Sequence, residues 1–146
     1  MSPRVQIKKL RPDAIVPRYM TTHAAGLDLC AAIDGEIEVA PHMRVSIGTG
    51  LAFALPDGYE GQIRPRSGLA RDHGITLVNA PGTLDSDYRG ELSVLVINHG
   101  SSTIRIENGQ RIAQLVIAPV VQAELVEVDA LPDTERGAGG FGSTGR

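Results

Sequence analysis

Tryptophan is absent, and the aromatic residues number only two Phe and three Tyr in 146. A core must therefore be built from Val, Ile, Leu and Ala, and the length suits one domain able to bury such a core. Positive charge is also scarce. Fourteen Lys and Arg face 17 Asp and Glu, giving a net charge of −3 and a pI near 5.8, which argues against a protein that coats nucleic acid electrostatically. Lysine is confined to Lys8 and Lys9, and every other base is Arg. Arg is the better fork for phosphate, although a genomic compositional bias accounts for the ratio equally well. Cys30 stands alone, which rules out an internal disulfide and fits a reducing compartment. Arg4, Lys8 and Lys9 precede no apolar h-region, and no apolar run approaches membrane-spanning length. The expectation is a soluble, cytoplasmic protein with neither membrane nor nucleic acid as partner. His23, His42, His73 and His99 show no zinc-ligand spacing, no Gly-x-Ser-x-Gly is present, and Cys30 has no evident His partner. These absences argue against nucleophilic catalysis by the protein.

What is present is β periodicity. From Val45 to Leu55 the larger residues Val45, Ile47, Thr49, Leu51, Phe53 and Leu55 alternate with small ones, the cleanest period-2 signal in the chain. The small residues suggest a face closely covered by another sheet. Further strands are expected at 5–9, within 24–32, around Ile37 and Val39, and at 59–64, 75–79, 91–98, 103–106, 111–118 and 122–129. Turns such as Pro56-Asp-Gly58, His99-Gly100 and Asn108-Gly109 separate them. The pattern predicts an all-β, jelly-roll-like sandwich or barrel. One short helix is expected over Gly68–His73, with Ser67 as N-cap and Gly74 as terminator. Residues 1–135 read as the β domain, and the Gly-rich 136–146 as a flexible arm with too little apolar surface to pack a core.

The chain is organised around Asn79–Glu91, NAPGTLDSDYRGE, which reads as a β-hairpin or tight loop between two apolar runs. A plain turn has no use for Tyr88 and Arg89 directly after Asp85 and Asp87, though a surface hairpin is an equal alternative from this segment alone. Four other places hold polar residues that a β sandwich does not require. Arg66-Ser67-Gly68 joins a guanidinium, a hydroxyl and a helix start, a set that suits an anion, while an ordinary N-cap beside a surface Arg explains it in isolation. Gln114 interrupts the apolar run Ile112–Ile117, where pairing with backbone is an equal explanation. Asp28 is an acid in an apolar strand, costly unless paired or facing a polar site. The tail carries Arg136, the lone aromatic Phe141 and the hydroxyls of Ser143 and Thr144 among glycines; flexible linkers look the same. Carboxylates, arginines, hydroxyls and glycines together suit a nucleotide with Mg²⁺ and an activated water.

In order, AAGLDLCAA (24–32), RPRSGLA (64–70), NAPGTLDSDYRGE (79–91), RIAQL (111–115) and RGAGGFGSTG (136–145) resemble the five motifs of the trimeric dUTPases. The resemblance spans nearly the whole chain. It implies a jelly-roll homotrimer with active sites shared between subunits and closed by a C-terminal arm. The implied activity is Mg²⁺-assisted hydrolysis of dUTP to dUMP and pyrophosphate, which keeps uracil out of DNA and supplies dUMP for dTMP synthesis. It gives Asp85 the role of general base for the water that attacks the α-phosphorus. Asn79 and the backbone at Gly82, Thr83 and Leu84 would read uracil, and Tyr88 would lie against the deoxyribose. Arg66, Ser67, Gly68 and Gln114 would hold the phosphates, and Asp28 would reach Mg²⁺ through water. Ser93 would add a backbone contact. From the tail, Arg136 would clamp the γ-phosphate and Phe141 stack on uracil, with Gly142, Ser143 and Thr144 capping the phosphates. Leu84 stands where the family has isoleucine. The related dCTP deaminases share the fold but carry Arg-Ser-Ser where this chain has Arg66-Ser67-Gly68. A nucleotide-binding regulator that has lost catalysis is the remaining alternative, opposed by the presence of Asp85 and all five motifs.

Overall fold

The alternating run at 45–55 becomes the longest strand of the structure, a computed structural model that describes residues 2–142. In chain order the elements are β1 (Gln6–Lys9), β2 (Leu27–Cys30), β3 (Glu36–Val39), β4 (Arg44–Ala54), β5 (Tyr59–Arg64), α1 (Ser67–His73), β6 (Ile75–Leu77), β7 (Gly82–Leu84), β8 (Glu91–Asn98), β9 (Ile104–Glu107) and β10 (Arg111–Pro119). They form two four-stranded antiparallel sheets, β1-β4-β8-β6 and β2-β10-β5-β7, with β3-β9 as a separate pair. This is the jelly-roll-like, all-β architecture the sequence predicts. The core between the sheets is aliphatic: Leu29, Ile47, Leu51, Val96, Ala113 and Leu115 have no exposed surface, and Phe53 is the one aromatic among the buried residues.

β4 departs from simple alternation. Ile47, Thr49, Leu51 and Phe53 turn inward as expected, but Gly50 and Ala52 on the opposite face are buried too. The cover near Gly50 comes from a loop, not from another sheet as the small residues suggest. Leu10 N–H donates to the Gly50 carbonyl (2.8 Å), and a Cβ on Gly50 would lie 2.8 Å from the Ala14 Cβ. Gly50 has φ +65°, and the β4–β8 register slips between Gly48 and Ala52, so this is a β-bulge that needs glycine.

Two polar side chains are fully buried among the core residues, Thr49 and Asn98. Asn98 closes the end of β8: its Nδ2 donates to the Val39 and Ser102 carbonyls (2.8 and 2.9 Å), and its Oδ1 accepts from Gly100 N–H (2.8 Å). Asn98→Ala would strand groups that water reaches poorly, at about 1–3 kcal/mol for each one left without a partner. The expected result in urea denaturation is a midpoint lowered by a loss of about 3 kcal/mol or more, with an unchanged slope.

Three expectations are corrected. Ser67 is not the N-cap: Arg66 holds that position in extended conformation (φ −89°, ψ 130°) without a side-chain cap, since a guanidinium has no acceptor for the helix N–H groups. Ser67 is therefore the first helical residue, while Gly74 ends α1 in the left-handed conformation as expected. Residues 79–91 are not a simple hairpin. β6 and β8 do pair with each other, but the connection between them lays β7 on the other sheet, against β5. Finally, 122–129 forms no strand. Its alternation is real, yet among the described residues no sheet edge pairs with it, and Val121 and Leu125 stand 90% and 93% exposed.

Candidate active site

The organising segment crosses between the two sheets. β6 lies in the first sheet; the chain then turns through a cis Ala80–Pro81 peptide and joins β5 as β7, with Gln62 opposite Thr83 and Ile63 opposite Gly82. A second turn, closed by Tyr88 N–H to the Asp85 carbonyl (3.2 Å), returns the chain to β8. The crossing opens a cleft of about 300 Å³ whose apolar floor includes Ile63, Leu77 and Val94. Asn79, Thr83, Asp85, Tyr88 and Ser93 line its polar side.

Each wall residue has a local cause. Gly82 is buried, and a Cβ there would lie 3.2 Å from Asn79 Nδ2 and 3.4 Å from the Ile63 Cβ. Glycine thus lets the Asn79 amide settle against β7. The Leu84 side chain is 3% exposed and packs into the core, so Leu84 can offer the cleft only its backbone. Asp85 follows at once and is exposed, and among the described residues no hydrogen bond or ion pair engages its carboxylate. Tyr88 is half exposed, and its hydroxyl donates to the Glu91 carbonyl (3.2 Å).

A second polar cluster sits elsewhere. β10 pairs with both β2 and β5, which sets Gln114 opposite Asp28 on one side and Arg64 on the other. Gln114 Nε2 donates to the Pro65 carbonyl (3.0 Å). Asp28 Oδ1 accepts from Arg66 Nε (3.0 Å) and Oδ2 from Arg111 Nη1 (3.1 Å), so this partly buried acid in an apolar strand is paired with two guanidiniums. Ser67 and Gly68 lie exposed at the start of α1, and a Cβ on Gly68 would meet nothing within 4 Å. Packing within this chain does not require glycine there; close approach by something from outside would. Burial, and then the Asp28 charge, push the Cys30 thiol up from its ordinary value, consistent with no nucleophilic role for it. None of Asp28, Arg66, Ser67, Gly68 or Gln114 lines the Asp85 cleft.

The dUTPase family profile matches residues 12–145. The chain belongs to the dUTPase family. It is 59% identical to a deoxyuridine 5′-triphosphate nucleotidohydrolase of Nautilia profundicola, an alignment covering 98% of this chain and 99% of that one. A protein of the same name from Syntrophotalea carbinolica is 56% identical, with 97% and 96% covered. The structure superimposes on the Staphylococcus bacteriophage 80alpha dUTPase with dUPNHPP at a TM-score of 0.90 and 29% identity, covering 98% and 99% of the two chains.

In this dUTPase-family chain no described residue of the arm lines the Asp85 cleft. Arg136 Nε donates to the Gly139 carbonyl of the arm itself (2.8 Å), Phe141 is fully exposed, and Gly142 adopts φ +84°. Ser143 and Thr144 lie outside the described residues. Sequence reasoning gave no role to Arg111, although it opens the RIAQL motif. The signal was available: an acid inside an apolar strand calls for a cation on a neighbouring strand. Among the described residues no three His, Cys, Asp or Glu side chains gather as a metal cage. That donor set does not oppose Mg²⁺, which keeps several waters and is commonly held by one or two carboxylates plus substrate phosphates.

Proposed function

We propose that this chain hydrolyses dUTP to dUMP and pyrophosphate, with Asp85 as the general base. The observation that carries the reading is an unpaired carboxylate at the edge of a cleft walled by Asn79 and Thr83. Asp85 orients a water and takes its proton as the water oxygen bonds to the α-phosphorus; the bond from that phosphorus to the αβ-bridging oxygen breaks, and pyrophosphate departs. Asn79 and the β7 backbone read the uracil edge: a 5-methyl is rejected by shape, and cytosine by buried groups left unpaired. Tyr88 lies beside C2′ of the sugar. Arg66 holds Asp28 through Nε, and its terminal nitrogens, without a partner among the described residues, take the phosphates together with Ser67, the Gly68 backbone and Gln114. Bound Mg²⁺ would neutralise charge on the triphosphate and the leaving pyrophosphate, with Asp28 reaching it through water.

The separation of the two clusters favours a site shared between copies. The cleft with Asp85 would be completed by Arg66, Ser67 and Gln114 of a neighbour in a closed homotrimer. Ser93 adds a backbone contact at the cleft, and the arm from Arg136 onward closes it, with Phe141 over the base. The unpaired stretch 122–129 supports the same reading, since its apolar alternation suits a strand that pairs with another chain. No helix among the described residues is long and apolar enough to cross a membrane. A lone buried thiol suits a reducing cytoplasm.

The deciding experiment is pyrophosphate release from dUTP, dCTP, dTTP and UTP in Mg²⁺. Turnover of dUTP far above the other three is expected. Comparable turnover of dTTP or UTP would remove the assigned roles of the cleft, and no turnover of dUTP would remove the activity itself.

A further inference from the structure

Tyr88 owes its place to a chain of contacts that begins in β4. Its hydroxyl donates to the Glu91 carbonyl (3.2 Å). Its ring lies over Gly90, where a Cβ would collide with the phenol oxygen. Residue 91 is in turn gripped from the neighbouring strand. Glu91 Oε1 accepts from Gly50 N–H (2.8 Å), and Thr49 Oγ1 donates to the Leu92 carbonyl (2.7 Å). The Glu91 carboxylate also covers Gly48, where a Cβ would come within 2.5 Å of Oε1. These contacts sit where β4 and β8 lose register, between Gly48 and Ala52. A bulge leaves backbone groups outside the regular ladder, and here a side chain takes up the donor.

We infer that Glu91 is a positioning residue for Tyr88, so that the Gly48–Gly50 bulge sets how strictly the site rejects a ribonucleotide. The inference rests on Tyr88 lying beside the sugar, as proposed above. Without the Glu91 carboxylate, Gly50 N–H loses its acceptor and the residue-91 carbonyl that holds the Tyr88 hydroxyl loses its anchor. A displacement of about 1 Å is enough to change how a site treats its substrate, and here it opens room for a 2′-hydroxyl. Glu91 borders the cleft, but its Oε1 is taken up by Gly50 N–H and it has no part in the proposed attack on phosphorus, so its loss weighs on sugar choice more than on kcat for dUTP.

The test is kcat/KM for dUTP and for UTP, in Mg²⁺, with the full-length wild type, Glu91→Ala, Glu91→Asp, Glu91→Gln and Tyr88→Ala. Aspartate keeps the charge but is one methylene too short to reach Gly50; glutamine keeps the reach and an acceptor oxygen. Glu91→Ala and Glu91→Asp are expected to lower the dUTP-to-UTP ratio by about ten-fold, the scale of one charge-assisted hydrogen bond. Glu91→Gln should return the ratio to within about two-fold of wild type, since a neutral acceptor retains much of that bond. If Glu91→Ala fails to fold, Glu91→Asp carries the same comparison. An unchanged ratio in the folded Glu91→Ala or Glu91→Asp variant, where Tyr88→Ala lowers it, overturns the inference alone; where Tyr88→Ala leaves it unchanged too, the placing of Tyr88 beside the sugar falls with it. Absence of dUTP turnover in wild type removes the reading beneath it and the inference together.

Discussion

Asp85→Asn is expected to lower kcat for dUTP hydrolysis by about 10²–10⁴-fold, the usual contribution of a general base, with little change in nucleotide affinity. Asparagine has nearly the same shape but cannot accept the proton of the attacking water. The structure makes this substitution clean. Among the described residues the Asp85 carboxylate has no partner, so nothing is orphaned when its charge is removed, and the Leu84 side chain that anchors the turn stays in the core. The loss should therefore fall on the chemical step and not on folding. Single-turnover hydrolysis, paired with binding of a non-hydrolysable dUTP analogue, separates the two. Hydrolysis within a few-fold of wild type would take the role of base away from Asp85.

Deletion of residues 136–146 is expected to leave a folded assembly with little activity. Arg136 bonds only within the arm, and Phe141 packs against nothing among the described residues. Among the described residues the β sandwich therefore loses no core contact when the arm is removed. If the arm closes a neighbour's cleft, two inactive proteins should rescue each other. In trimers co-refolded from equal amounts of Asp85→Asn chains and arm-deleted chains, a working site takes Asp85 from a truncated chain and its arm from an Asp85→Asn chain. Random assortment in a closed ring makes roughly a quarter of sites competent. Activity no greater than the sum of the two parents, in verified mixed trimers, would show that each arm serves its own subunit.

The strands were legible wherever the chain supplies its own partner. Val45–Leu55 and Tyr59–Arg64 read correctly because both lie inside four-stranded sheets that bury one side of them. Residues 122–129 carry the same signal without a partner, and periodicity reports only which side chains could share a face. The reading of 79–91 as a β-hairpin or tight loop left out the crossing, because local turn residues say where a chain reverses, not which sheet receives it. The segment still stood out, since unusual chemistry in a turn survives an error in topology, and the structure gathers its Asn79, Thr83, Asp85 and Tyr88 at one cleft. What sequence could not reveal were contacts decided by the third dimension. Glu91 reaching into the β4 bulge, Asn98 tying three segments, and Arg66 paired with Asp28 all join residues remote in sequence.

If the exposed stretch after Val120 pairs with a second copy, as proposed, concentration becomes a variable of this protein. A lone chain carries Val121, Leu125 and Leu131 in water, an arrangement that pairing with a second copy would relieve. Whatever binds the folded chain in this way adds stability by mass action. The melting temperature should therefore climb as the protein is made more concentrated and sag on dilution. In a dilute preparation the same stretch is the first surface offered to wrong partners, including its own misaligned copies.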